Sequence, residues 1–140
     1  MAFPSNIERI VIAGVGLIGG SIGLALKDAG FQGKIVGLGR RWSSLKLAIG
    51  AGAVDSAEID YAEALKDADI LILCTPVDTI VEIMGKAIQY LPQGCIITDV
   101  GSTKASLVCE IESLIPDGIH FVGGAPDGRL RRIRRCFSQR

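Results

Sequence analysis

The stretch that most constrains this chain is GVGLIG, residues 14–19, which lies between the apolar run RIVIA and a segment with helical spacing. A Gly-x-Gly-x-x-Gly pattern alone is a weak signal, but between a strand and a helix it is typical of a dinucleotide site. Gly14 permits a tight turn, Gly16 lets the backbone approach a pyrophosphate, and Gly19 lets helix and strand pack closely. The alternative is a glycine-rich turn that binds nothing. We predict that the cofactor-binding residues here are Gly14, Gly16, Leu17, Ile18 and Gly19.

Short apolar runs alternate with helical segments along the rest of the chain. Continuous apolar strands between helices are typical of a parallel sheet that is covered on both faces. The pattern predicts strands at 9–13, 34–38, 53–59, 70–74, 95–100 and 120–122, and helices at 17–29, 43–50, 61–66, 79–90 and 103–114. Ser43 and Ser102 are the expected N-caps of two of these helices. The predicted fold is a single α/β domain with a Rossmann-like, doubly wound, mainly parallel sheet.

The charge of the chain is unevenly distributed. All 15 acidic residues lie in residues 1–128, whereas six of the 15 Lys and Arg residues lie in residues 129–140. An acidic body argues against nucleic acid or a membrane surface as the main partner. The four cysteines show no CxxC spacing, so we expect neither a metal site nor a disulfide framework. These features predict a protein of the cytoplasm.

The residues that follow the second strand bear on the choice of cofactor. An NAD site usually has Asp or Glu at this position to bind the ribose 2′-hydroxyl. Here the chain has Gly39, Arg40 and Arg41, and two guanidinium groups suit a 2′-phosphate. A solvated Arg pair on a surface turn is the alternative. The sequence therefore favours NADP over NAD, with Arg40 and Arg41 as its ligands.

Three further stretches carry a family resemblance. They are LCTPV at 73–77, TDVGSTK at 98–104 and FVGG at 121–124. Together with GVGLIGGS at 14–21, they resemble the N-terminal nucleotide-binding domain of prephenate and arogenate dehydrogenases, the TyrA family of tyrosine biosynthesis. The resemblance covers about residues 7–124.

The resemblance implies an oxidative decarboxylation. The cofactor would take a hydride from the carbinol carbon of a cyclohexadienol ring, CO2 would leave, and the ring would become aromatic. It further implies that Ser102 lies near the nicotinamide and the substrate hydroxyl, and that Thr75 and Pro76 line the cofactor cleft. Cys74 is expected in the core rather than in the site. Intact members of the family are homodimers with a small-molecule substrate.

The chain departs from the family pattern after Gly124. The family continues His-Pro-Met-Ala-Gly-Ser-Glu, and its histidine is the catalytic base, but this chain has Ala125 at that position. Alanine cannot accept a proton. The family's helical dimerisation domain is also expected to be absent. We therefore divide the chain into a nucleotide-binding domain (1–124) and an aberrant basic tail (125–140), and predict little or no activity.

Codon arithmetic suggests an origin for the basic tail. Residues 125–129 encoded as GCA CCC GAT GGC CGG read CAC CCG ATG GCC GG one base later, which gives His-Pro-Met-Ala-Gly. The sequence is thus compatible with a shifted reading frame near codon 124 or 125. The alternatives for the tail are a genuine basic tail that binds nucleic acid or a partner, and a natural cofactor-binding domain without catalysis. For the function, the alternatives are a non-catalytic NADP-binding module and another reductase, such as a β-hydroxyacid dehydrogenase or a pyrroline-carboxylate reductase.

Overall fold

The computed structural model describes residues 6–100, 105–124 and 130–132. Seven strands form one sheet in the order β3-β2-β1-β4-β5-β6-β7. The strands are β1 (Arg9–Ala13), β2 (Lys34–Leu38), β3 (Ser56–Glu58), β4 (Ile70–Leu73), β5 (Ile96–Asp99), β6 (His120–Gly124) and β7 (Leu130–Arg132). The first six pair in parallel, and β7 pairs antiparallel with β6. The predicted α/β fold with a mainly parallel sheet is confirmed.

Helices cover both faces of the sheet. They are α1 (Leu17–Asp28), α2 (Trp42–Gly50), α3 (Tyr61–Leu65), α4 (Ile80–Ala87) and α5 (Ala105–Leu114). Successive strand residues point to opposite faces, so Ile10 and Ile12 pack with residues of α1 and α2. Val11 and Ala13 pack with residues of α3, α4 and α5 on the other face. This division of the core is what makes the fold doubly wound.

Some local predictions are wrong. The cap of α2 is Arg41 rather than Ser43, and it makes no side-chain cap hydrogen bond. The single helix expected at 79–90 is α4 between two 3-10 turns, at Val77–Thr79 and Ile88–Tyr90. The strand β7 was not expected, because its Arg-rich sequence lacks the apolar pattern of a strand.

The cysteines differ from one another. Cys74 and Cys95 are free thiols, whereas Cys109 is disulfide-bonded. The sequence predicted no disulfide framework, and among the described cysteines only Cys109 departs from that expectation. No group of His, Cys, Asp and Glu residues within the described ranges has the arrangement of a metal site. None of the helices in the described part of the chain is long and apolar enough to cross a membrane.

Candidate functional site: a cavity at the carboxyl edge of the sheet

Strand register places the chain segments that leave the central strands side by side. Ala13 is level with Leu38 and Leu73, and Leu73 is level with Asp99. Strand β1 lies between β2 and β4, and the chain builds the sheet outward in opposite directions on its two sides. Open α/β sheets bind ligands at the carboxyl ends of the strands at such a point. A cavity of about 860 Å³ lies at this edge. Its lining includes six of the predicted residues, namely Gly14, Gly16, Arg40, Arg41, Thr75 and Pro76.

One part of the cavity lining, called the glycine end below, is the glycine turn after β1. Gly14 has φ +88°, and its N–H donates to the carbonyl oxygen of Leu38 at 2.9 Å. A Cβ on Gly14 would lie 2.6 Å from Thr75 Cγ2. A Cβ on Gly19 would overlap the carbonyl oxygen of Gly14. Both positions therefore require glycine, one for its backbone conformation and both for the close approach of neighbouring segments.

Gly16 differs from Gly14 and Gly19, because no neighbouring atom fills the space beside it. It is the N-cap residue of α1 and makes no side-chain cap hydrogen bond. An added Cβ would meet nothing within 4 Å, so packing inside the protein does not demand glycine here. Open space above a helix N-terminus leaves the backbone N–H groups and the positive end of the helix dipole accessible to an anion. This geometry suits the close approach of a phosphate group.

Leu17, Ile18 and Gly19 do not line the cavity. The Leu17 side chain is 89% exposed and that of Ile18 is 57% exposed, at the start of α1. Gly19 is buried beneath the turn. Of the predicted residues in this motif, only Gly14 and Gly16 therefore face the cavity itself.

A second part of the cavity lining, called the arginine end below, consists of Arg40 and Arg41, which follow β2 directly. Both side chains are exposed. Neither guanidinium has a hydrogen bond or an ion pair with another residue of the described ranges. The carboxyl end of β2 thus presents two cations whose hydrogen-bond donors are available to a ligand.

Residues that follow β4 form one wall. Thr75 Oγ1 is buried and has no hydrogen-bond partner among the described residues. An unpaired buried hydroxyl is costly, so its position against the cavity favours a ligand that bonds to it. Cys74 both packs against the core and lines the cavity. Burial and, to a lesser extent, the Asp99 carboxylate raise the pKa of the Cys74 thiol to about 11, so it is not a nucleophile at neutral pH.

Residues of α3 and α4 also line the cavity, and none of them was predicted from the sequence. They are Tyr61, Glu82, Ile83 and Lys86. Burial raises the pKa of the Tyr61 hydroxyl, and the Lys86 and Arg40 charges partly offset that effect. No motif marks these residues, because they lie in the middle of crossover connections. Ser102 and Ala125 lie outside the described residues.

A parallel sheet with a glycine turn at the diverging strands defines the chain as a Rossmann-type domain. The family model for the prephenate dehydrogenase nucleotide-binding domain matches residues 22–127. The chain therefore belongs to the prephenate dehydrogenase family and contains its nucleotide-binding domain, as the resemblance predicted.

Relatives and solved structures agree with this assignment. Prephenate dehydrogenase from Bacillus subtilis (strain 168) is 35% identical over 120 residues, which are 85% of this chain and 32% of that protein. Prephenate dehydrogenase from A. aeolicus, solved with hydroxyphenyl propionate and NAD+, has a TM-score of 0.77 at 33% identity, over 85% of this chain and 41% of that one. Synechocystis arogenate dehydrogenase has a TM-score of 0.75 at 33% identity, over 84% and 40%. The chain spans about a third of the length of the curated relatives it matches.

Proposed function

We propose that this chain is the NADP-binding domain of a dehydrogenase that acts on prephenate or arogenate in the cytoplasm. The observation that carries the proposal is one cavity that is lined both by the glycine turn and by two exposed arginines. The NAD+ in the structure of the A. aeolicus relative supports a pyridine nucleotide as the ligand. The absence of Asp or Glu directly after β2 supports NADP over NAD.

Several residues that line the cavity have a role in this proposal. Backbone N–H groups at Gly16 and the start of α1 would bind the pyrophosphate. Arg40 and Arg41 would bind the 2′-phosphate through charge-assisted hydrogen bonds. Thr75 Oγ1, which has no hydrogen-bond partner among the described residues, would donate or accept a hydrogen bond with the ligand. When bound, the nicotinamide would accept a hydride from the substrate.

Catalysis would need more than this domain. Ser102 stays a proposed site residue near the nicotinamide. The position of the family's catalytic histidine is Ala125, which can neither accept nor donate a proton. We therefore expect the chain to bind NADP with little or no turnover of prephenate or arogenate.

A titration of the 140-residue chain with NADP+ and NAD+ tests the proposal. We expect tighter binding of NADP+, and we expect the double variant Arg40→Ser/Arg41→Ser to lose that preference by about 100-fold, since each hydrogen bond to a charged group contributes about 1.5 kcal/mol or more. Binding of NAD+ should change little. The control is Lys46→Ser, an exposed cation on α2 that does not line the cavity. Equal affinity for both nucleotides in the unmodified chain would contradict the NADP assignment.

The basic tail has its own test. We propose that residues 125–140 are the out-of-frame translation of His-Pro-Met-Ala-Gly-Ser-Glu and its continuation. Reading the coding DNA from codon 120 onwards in all three frames decides the matter. A shifted frame that encodes this sequence and a following helical region supports the proposal. An undisturbed frame with other codons rejects it, and a partner or nucleic acid then becomes the better explanation for the arginines.

A further inference from the structure

Helix α4 brings a second pair of charges to the arginine end of the cavity. Glu82 and Lys86 line the cavity together with Arg40 and Arg41. Lys86 Nζ lies 3.3 Å from Glu82 Oε1, in an i,i+4 ion pair. Neither residue belongs to a nucleotide-binding motif.

The direction of α4 carries the Lys86 ammonium toward the ligand edge. The helix starts just after the carboxyl end of β4, and helical side chains lean toward the N-terminus of their helix. The contact with Glu82 shows that Lys86 folds back by one turn in that direction. Its ammonium group is therefore displaced toward the edge of the sheet that holds the cavity.

The ion pair that holds Lys86 is weak. The side chains of Lys86 and Glu82 are 59% and 60% exposed. Exposed pairs of this kind contribute about 0.3–0.5 kcal/mol. A ligand with a stronger negative charge can therefore displace the Glu82 carboxylate from Lys86 at little cost.

Tyr61 lies near the charges of both α4 and the segment after β2. It is the first residue of α3, packs against the core and lines the same cavity. After burial, the charges that act on its hydroxyl are those of Lys86, Arg40 and Glu82. Lys86 of α4 and Arg40 after β2 therefore lie near the same side chain, although they belong to different parts of the fold.

We infer that Lys86 is a third ligand of the NADP 2′-phosphate and that Glu82 competes with this phosphate for Lys86. The inference rests on the proposed function. A 2′-phosphate carries more charge than a carboxylate and offers three acceptor oxygens. It would replace Glu82 as the partner of Lys86, and the released carboxylate would disfavour the phosphate by like-charge repulsion.

Two variants test the inference by titration with NADP+ and NAD+. We expect Lys86→Gln to raise the Kd for NADP+ about tenfold, which corresponds to one lost hydrogen bond to a charged group, and to leave the Kd for NAD+ within about twofold. We expect Glu82→Gln to lower the Kd for NADP+ about threefold. Lys66→Gln, an exposed lysine outside the cavity, should change neither value. Lys86→Arg should retain most of the affinity for NADP+.

The outcomes separate this inference from the proposed function. One outcome is that the Lys86→Gln variant shows the unfolding transition of the unmodified chain and also keeps its ratio of NADP+ to NAD+ affinity. That result would overturn the role of Lys86, even if Arg40→Ser/Arg41→Ser abolishes the preference for NADP+. Weaker NADP+ binding in Glu82→Gln would instead make Glu82 a residue that positions Lys86, and it would overturn the competition. An unmodified chain that binds neither nucleotide, or both equally, overturns the proposed function and the inference together.

Discussion

The glycine end and the arginine end of the cavity differ in what forms them: closely packed segments at one, exposed charged side chains at the other. At the glycine end, backbone atoms of β1, α1 and the segment after β4 lie so close together that Gly14 and Gly19 have no room for a side chain. At the arginine end, exposed side chains follow β2 and extend from α4. The shape of the cavity therefore depends on the fold, whereas its charge is carried by side chains that the fold does not need.

The largest effect is expected at the glycine end. Gly19→Ala would force a Cβ against the carbonyl oxygen of Gly14, and we expect a loss of about 3 kcal/mol in the free energy of unfolding. Binding of NADP+ and NAD+ should be lost together. Urea unfolding and nucleotide titration measure both effects.

A matched glycine provides the control. Gly85 is exposed in the middle of α4, and an added Cβ would meet nothing within 4 Å. Gly85→Ala should therefore stabilise the chain by up to about 1 kcal/mol. If both variants lost similar stability, the close packing at the glycine end would not explain the result.

Added salt is expected to weaken binding at the arginine end more than binding at the glycine end. Exposed charges are screened by added salt, so the affinity for NADP+ should fall several-fold between low and high ionic strength. The affinity for NAD+ should fall less, because both nucleotides share the backbone groups of the glycine end. Titrations at two salt concentrations check this, and parallel losses for both nucleotides would contradict it.

Thr75 lies beside Gly14 at the glycine end of the cavity, and its hydroxyl provides a further test. Thr75→Val removes a buried hydroxyl that has no partner among the described residues and keeps the methyl group beside Gly14. We expect the free energy of unfolding to rise by about 1 kcal/mol. Affinity for both nucleotides should fall by the same few-fold. A loss of stability would show that the hydroxyl is satisfied in the protein alone.

The smallest effect is expected at Asp55, which links α1 and β2 at the far edge of the sheet. Its carboxylate accepts hydrogen bonds from Lys27 Nζ at 2.6 Å and from the Ile35 N–H at 2.8 Å. Burial acts to raise the pKa of Asp55, but these hydrogen bonds outweigh it and lower the pKa below 3.8. The stabilisation is therefore present above pH 3.8 and is lost as the pH falls through the lower pKa of the folded chain.

Asp55→Asn tests this pH dependence. Because the Lys27 and Asp55 side chains are 34% and 37% exposed, solvent screening limits the loss at pH 7 to less than about 1 kcal/mol. Urea unfolding of both chains should show a difference that shrinks toward pH 2. The ratio of NADP+ to NAD+ affinity should stay unchanged, since the link lies far from either end. A difference that grew in acid would contradict the assigned direction of the pKa shift.

Much of the fold was predictable because the signals are local. Apolar runs gave the six parallel strands, and the family stretches gave Thr75 and Pro76 beside the glycine turn. The Ser43 cap was not predictable in the same way, because α2 starts one residue earlier and uses Arg41. Strand β7 pairs with β6 through backbone hydrogen bonds, which a side-chain pattern does not reveal.

The amino-acid sequence was enough to predict the six parallel strands, the glycine turn and the position of two arginines at the carboxyl end of β2. These features follow from short-range rules: strand periodicity, the backbone freedom of glycine, and the order of strand, turn and helix. Only the tertiary structure decided that Tyr61, Glu82 and Lys86 lie at the same cavity as Arg40. Tyr61 lies in the connection between β3 and β4, whereas Glu82 and Lys86 lie in the connection between β4 and β5. They line one cavity because the parallel sheet brings the start of α3 and the short helix α4 toward the edge where β2 ends, and no local pattern in the sequence encodes that distance.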